Sequence, residues 1–309
     1  MLDASEAPTD STRAEVLVIG EALVDVVRQG EESVEYPGGS PANIAFGLAR
    51  LGVPTRLLTQ LGTDERGSAV AAHLRGGGVE IDPSSFADAP TSTAIATIGL
   101  TGAATYEFNL TWDIAPEAFV GAPRAIHLGS VASFLEPGAS KVRAILDGTS
   151  GIVTFDPNIR PQLVGDHSAA VRVFEATAST ATAVKLSDED AEWLYPDRSV
   201  DETLSHILSL GPVLAVATLG GSGSLLMTSA ASTAVPAQPA KVVDTIGAGD
   251  SYMSALISSL LGLEAATLAN LSAADLEQLG HTSSVAAAIT VSRAGAFPPD
   301  LRELRTAGG

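Results

Sequence analysis

The chain reads as an α/β fold: a mostly parallel sheet covered by helices, with further β material that stands outside the alternation. Six short β-branched runs alternate with alanine-rich stretches of helical period, the pattern of parallel strands joined by crossover helices. Two stretches, residues 26–36 and 91–112, break it with a two-residue period that marks half-buried strands. The 309 residues, 45% hydrophobic and 17% charged, suit one large folded domain with an insertion and exclude a disordered chain.

Taken in order, residues 15–19 are the first strand. They exit at Gly20-Glu21-Ala22-Leu23-Val24, not at the Gly-x-Gly-x-x-Gly turn of a dinucleotide-binding unit. Residues 26–36 follow as hairpin material, and residues 56–60 form the next strand. Within 91–112, alternating stretches at 93–98 and 106–108 flank a turn around Gly102, as in a hairpin. Both segments form either a small sheet off the main body or edge strands of the main one. Runs at 125–128, 152–155, 183–186 and 213–218 complete the series. The Ala/Ser/Thr/Pro-rich residues 229–240 read as a surface connection. A strand-like 241–243 then leads into a glycine loop and an apolar helical pattern ending near Gly262.

Charge narrows the function. The net charge is −19, with only three lysines, Lys141, Lys185 and Lys241, so no basic stripe can follow a nucleic-acid backbone. The same field repels nucleotides, so a phosphate site must draw on backbone N–H groups, a metal or local arginines. No cysteine is present, so thiol and disulfide chemistry are excluded. Residues 1–13 are polar and acidic, and no run of about eighteen apolar residues follows. This predicts a cytoplasmic protein with a disordered leader and no membrane partner. The five histidines lack metal-ligand spacing, and no Gly-x-x-x-x-Gly-Lys-Ser/Thr loop occurs, which excludes a P-loop nucleotidase.

The richest segment is Asp244-Thr245-Ile246-Gly247-Ala248-Gly249-Asp250. Its glycines sit at a helix start, where outward N–H groups and the helix dipole can cradle a phosphoryl group. Asp250, in the first turn, is either a helix cap or a group facing that phosphate.

Two segments together carry a family resemblance. Gly38-Gly39-Ser40-Pro41-Ala42-Asn43-Ile44-Ala45, followed by Gly52 and Gly62, resembles the N-terminal signature of ribokinase-like (PfkB) carbohydrate kinases. Residues 244–257 resemble the C-terminal signature. The resemblance runs over about residues 15–299 and is closest in motifs to fructokinase; Phe155-Asp156-Pro157-Asn158-Ile159-Arg160 resembles the stretch typical of fructokinases and 2-keto-3-deoxygluconate kinases rather than of ribokinase. It implies a ribokinase-like three-layer sandwich: a single kinase domain at 14–300 with a small β-sheet lid from about 25–37 and 90–113.

It also implies an ATP-dependent sugar kinase with Mg2+ and, as in many relatives, a monovalent cation such as K+ near Asp244. Asp250 would be the catalytic base, and Gly247, Ala248 and Gly249 the anion cradle, with Arg160 near the phosphoryl path. Asp25, Gly38, Gly39 and Asn43 would hold the sugar; a carboxylate accepts from two adjacent hydroxyls. Ser187 and Asp190 stand where relatives carry an Asn-x-x-Glu motif that organises metal and phosphate through water, with Glu189 as a neighbouring candidate. Thr218, Gly220 and Gly223 match the nucleotide loop, and Ser284 stands where many relatives have an asparagine near the adenine. D-fructose ranks first as substrate, then 2-keto-3-deoxygluconate or a nucleoside, and the rival of another class is a non-catalytic sugar-binding protein. The lid serves either a monomer or a homodimer.

Overall fold

The computed structural model describes residues 15–99, 104–115 and 122–308; the expected leader and the turn at Gly102 lie outside them. Among the described residues fifteen strands run in chain order: β1 Val16–Ile19, β2 Leu23–Gln29, β3 Glu32–Gly38, β4 Thr55–Leu58, β5 Leu61–Gly62, β6 Glu80–Ile81, β7 Phe86–Ala87, β8 Thr93–Ile98 and β9 Ala104–Asn109. They continue with β10 Ala125–Gly129, β11 Ile152–Asp156, β12 Ala183–Ser187, β13 Leu214–Thr218, β14 Ser224–Met227 and β15 Ser232–Val235.

Nine of these form the main sheet in the order β15-β14-β13-β12-β11-β10-β1-β4-β6. It is parallel except at the β13–β14 and β14–β15 pairs. Central strands are apolar on both faces because helices cover both. Val16, Val18, Ala183, Leu214 and Val216 share a core with the helices Ser40–Arg50 and Ala248–Leu261. Leu17, Ile19, Phe155, Val184 and Leu186 face a second core with the helices Gly138–Leu146, His167–Ala178 and Val200–Ser209. The three expected layers are therefore present.

The two hairpin segments join in one separate four-stranded sheet, order β3-β2-β8-β9, so the edge-strand alternative does not apply. Pairing is antiparallel except for β2 with β8. Val24, Val26 and Ile95 are buried in one core with Val70 and Leu74 of the helix Glu65–Gly76. Strand alternation puts Asp25, Val34, Tyr36, Ala94, Tyr106 and Phe108 on the opposite face.

Two local expectations are corrected. Residues 229–240 contain β15, whose pairing with β14 and buried Val235 make it a true edge strand. Residues 241–243 are not a strand: Val242 and Val243 are exposed, and the Val243 N–H bonds to the Val291 carbonyl. Among the described residues no helix is long and apolar enough to cross a membrane.

Candidate active site

Asp250 occupies the third position of the helix Ala248–Leu261, whose left-handed N-cap is Gly247 (φ 74°). No side chain caps this helix. The Asp250 carboxylate turns instead to the helix Ser40–Arg50, accepting from Ser40 Oγ at 2.6 Å and from Asn43 Nδ2 at 2.9 Å. Ser40 and Asn43 lie three apart and so share a helix face. The two helices pack closely at Gly47, where a Cβ would lie 2.4 Å from Ser254 Oγ, and Ser254 bonds the Ile44 and Asp250 carbonyls.

The glycine pair before that helix serves two purposes. At Gly38 a Cβ would lie 2.0 Å from the Asp25 carboxylate, and at Gly39 (φ 100°) 2.6 Å from the Glu21 carbonyl. The missing side chains thus let Asp25 and the β1 exit approach the helix start. Burial pushes Asp25 up to about 6, against the pull of Arg160 and with the repulsion of Asp250. Glu21 is buried and rises to about 7 by burial, in spite of its bond from Ser130. Its carboxylate also meets the Ala132 N–H at 3.4 Å.

A cleft of about 470 Å3, lined in part by Gly249, opens at the carboxyl ends of β11 to β13, where open α/β sheets bind ligands. Its lining includes Arg160, Lys185, Ser187, Thr218, Gly220 and Gly249. Arg160 Nη1 bonds Asn158 Oδ1 at 2.9 Å and the Ile159 carbonyl at 3.0 Å, which leaves most of its donor fork free. Gly220 (φ 52°) has open space beside it, whereas a Cβ at Gly223 would lie 2.1 Å from the Val235 carbonyl. Gly223 therefore shapes the turn against β15 and does not line the cleft. Ser284, expected near the base, is buried within the helix Ala273–Val291 and lies outside the cleft lining.

Asp190 lines the cleft, and both of its carboxylate oxygens are engaged by backbone. Its Oδ2 accepts the Ser187 N–H at 3.0 Å and its Oδ1 the Ile159 N–H at 2.8 Å. A short acid three residues after the N-cap Ser187 folds back into a capping box, and it braces the β11 exit loop as well. Glu189 is exposed at the cleft rim. Among the described residues no cluster of three His, Asp or Glu could hold a metal. The residues present fit Mg2+ only as an ion carried chiefly by nucleotide phosphates and water.

Four residues not singled out in the sequence stand at the site: Ser40, Glu21, Asp156 and Lys185. Three lie inside the quoted motifs, and the signal for Lys185 is a lysine within a strand run. Asp244 accepts the Ile246 N–H at 3.0 Å and the Gly295 N–H at 2.9 Å, tying the loop to the C-terminal segment.

Residues 13–302 match the family described as pfkB family carbohydrate kinase. A fructokinase of Rhizobium leguminosarum bv. trifolii is 30% identical over 260 residues, 79% of each chain. The solved fructokinase with bound ATP from Xylella fastidiosa has a TM-score of 0.84 at 23% identity, covering 95% of this chain and 98% of that one. A double mutant of Vibrio cholerae fructokinase, in its fructose, ADP and potassium ion bound form, has a TM-score of 0.83 at 23% identity, covering 96% and 99%. At that identity the structures establish the shared fold, and the family match over nearly the whole length establishes the class. The chain belongs to the pfkB family of carbohydrate kinases, phosphotransferases with an alcohol group as acceptor.

Proposed function

We propose that the chain transfers the γ-phosphoryl group of ATP to D-fructose, giving fructose 6-phosphate, with Asp250 as the base. The observation that carries this is the Asp250 carboxylate itself. Both its oxygens are oriented by the helix Ser40–Arg50, its charge reaches Asp25, and it directly follows Gly249, which lines the cleft. In this reading Asp250 accepts the sugar hydroxyl proton as that oxygen attacks the γ-phosphorus. The bond to the ADP oxygen breaks, and the N–H groups at Gly247 to Gly249 face the charge on the transferred group. Bound Mg2+ would neutralise phosphate charge. A potassium ion beside the 244–246 and 292–296 junction belongs to the same reading.

The domain at 14–300 then acts as one kinase unit, with segments 25–37 and 90–113 as a lid that excludes water over the sugar. The exposed Val34, Tyr36 and Tyr106 share the Asp25 face and suit closure over a sugar or pairing with a second copy. Fructose is favoured by the relatives named fructokinase, and the motif at 155–160 suits fructose and 2-keto-3-deoxygluconate alike, against ribose. A keto-acid needs a cation for its carboxylate, and alternation along β2 places Arg28 on the face opposite Asp25. Arg160, whose charge Asp25 feels, keeps 2-keto-3-deoxygluconate as the second reading.

The test is ADP release with magnesium ATP against fructose, 2-keto-3-deoxygluconate, ribose, glucose and nucleosides. Fructose is expected to give the highest kcat/KM; another responder replaces the sugar. Silence across the panel with sugar binding retained would support the non-catalytic rival.

Asp25 also sets an expected pH profile. Its carboxylate is ionised only above about 6, and protonation removes the charge that receives the sugar hydroxyls. Fructose kcat/KM should therefore fall as pH drops through 6, approaching tenfold per unit below it, because kcat/KM follows the free enzyme. The Asp25→Asn variant should be slower and lack this limb. An unchanged limb would place the titrating group elsewhere.

A further inference from the structure

Lys185 is the one buried lysine of the three. Its side chain is 6% exposed and its Nζ lies 2.8 Å from Asp156 Oδ2, itself 1% exposed. The other two are surface groups: Lys241 is exposed, and Lys141 pairs with Asp113 at the protein surface. Strand alternation puts Lys185 and Asp156 on the sheet face covered by the helix Ala248–Leu261, beside His127 and Thr154. That face is otherwise built from side chains such as Val16, Val18, Ala183 and Leu214. A buried ion pair gives no stability that well-packed apolar residues would not match, so its position points to a use.

The position is the base of the anion cradle. A Cβ at Gly249 would lie 3.2 Å from Lys185 Nζ, so the ammonium sits directly against the start of the helix Ala248–Leu261. Lys185 also lines that cleft. Asp156 engages one of the three ammonium donors, which leaves two. Burial opposes the ammonium, but Asp156, Asp190 and Asp250 outweigh it and hold Lys185 above its ordinary value. It therefore stays charged at neutral pH. The surroundings are acidic, and an incoming triphosphate needs a fixed cation there.

We infer that Lys185, anchored by Asp156, is the phosphate-holding cation of this cleft and binds the terminal phosphate of ATP together with the Gly249 N–H. This deepens the kinase reading and rests on it. Lys185 donates hydrogen bonds throughout and transfers no proton; the hydroxyl proton goes to Asp250. Asp156 keeps the ammonium from swinging into solvent, and a glycine at 249 lets it approach.

The test compares the wild-type protein with the double variant Lys185→Met with Asp156→Asn, which removes both charges at similar volume and leaves no buried ion unpaired. Binding of ATP and of adenosine is measured by calorimetry, and fructose turnover alongside. ATP affinity should fall at least tenfold and adenosine affinity less than twofold, with kcat down about 100-fold, as for loss of one donor to a developing anion. ATP affinity and kcat both within twofold of wild type would overturn the inference. So would an equal loss for adenosine, which marks a structural effect.

A second readout needs no variant. With three lysines, the wild-type chain labelled at lysine Cε gives a spectrum in which Lys185 can be followed. Its signal should shift on adding ATP and stay in place on adding adenosine; no shift with ATP bound overturns the inference. Wild-type protein that binds ATP with a Lys185 shift, yet phosphorylates no sugar of the panel, would sink the fructose reading alone. Protein that binds no ATP would sink both.

Discussion

Replacing Asp250 by asparagine is expected to lower fructose turnover by about a thousandfold with little effect on folding. The side chain is isosteric, so the carbonyl oxygen can still accept from Ser40, which now bonds Oδ1 at 2.6 Å. The new amide faces Asn43 Nδ2, which donates to Oδ2 at 2.9 Å, and two donors then oppose each other unless one amide turns over. What is lost is the basic lone pair and the charge. The KM for fructose should stay within about threefold, because the loss is felt in the transition state and not in the bound ground state. Steady-state kinetics and thermal unfolding on the same preparation check this. A folded variant keeping more than a tenth of the turnover would place the base elsewhere.

The second large effect is expected from Gly39→Ala. At φ 100° and ψ 123° any side chain is strained, at a cost on the order of 1–3 kcal/mol. The new Cβ would also lie 2.6 Å from the Glu21 carbonyl and 3.1 Å from Ala22 Cα. Both contacts are backbone, so no side chain can swing aside, and the total destabilisation should reach about 3 kcal/mol. Relief must come from shifting the helix Ser40–Arg50, which carries Ser40 and Asn43 and so moves the groups that orient Asp250. Turnover should then fall about 100-fold, the scale of an ångström-sized misplacement. Gly30→Ala is the control for stability. Its φ of 61° is also positive, but nothing lies within 4 Å, so it should cost only about 1 kcal/mol. Denaturant midpoints of the two variants decide the matter: equal losses would mean that the contact with Glu21 is unimportant.

Both expectations rest on features that differ in how far local pattern shows them. The Gly247 to Gly249 loop is visible as a glycine pair at a helix start, since φ preference and helix initiation are local properties. The strand runs are visible because burial on both faces demands consecutive apolar residues. The run at 241–243 misled because Val242 and Val243 look like a strand, yet the Val243 and Asp244 N–H groups bond the Val291 carbonyl and both valines remain exposed. Residues 229–240 misled in the opposite sense: small polar residues conceal β15, whose place is set by pairing with β14. Asp190 illustrates a competing local rule. An Asp three residues after Ser187 can close a capping box, and the fold uses it so.

From the sequence alone came the α/β class, six of the nine strands of the main sheet (β1, β4 and β10 to β13), the two β segments outside the main series and the two signature loops with Asp25, Gly38, Gly39, Asn43 and Asp250. The class and the strands follow from periodicity and turn chemistry, which any stretch of chain carries by itself, and the site residues from the resemblance of the two loops to the family signatures. The tertiary structure decided which of these residues act on one another. Ser40 and Asp250 are 210 residues apart and meet only because Gly47 and Ser254 let two helices pack closely. Lys185 finds Asp156 only because β11 and β12 are parallel neighbours. Such pairings depend on how whole layers pack, and no local pattern encodes a distance between layers.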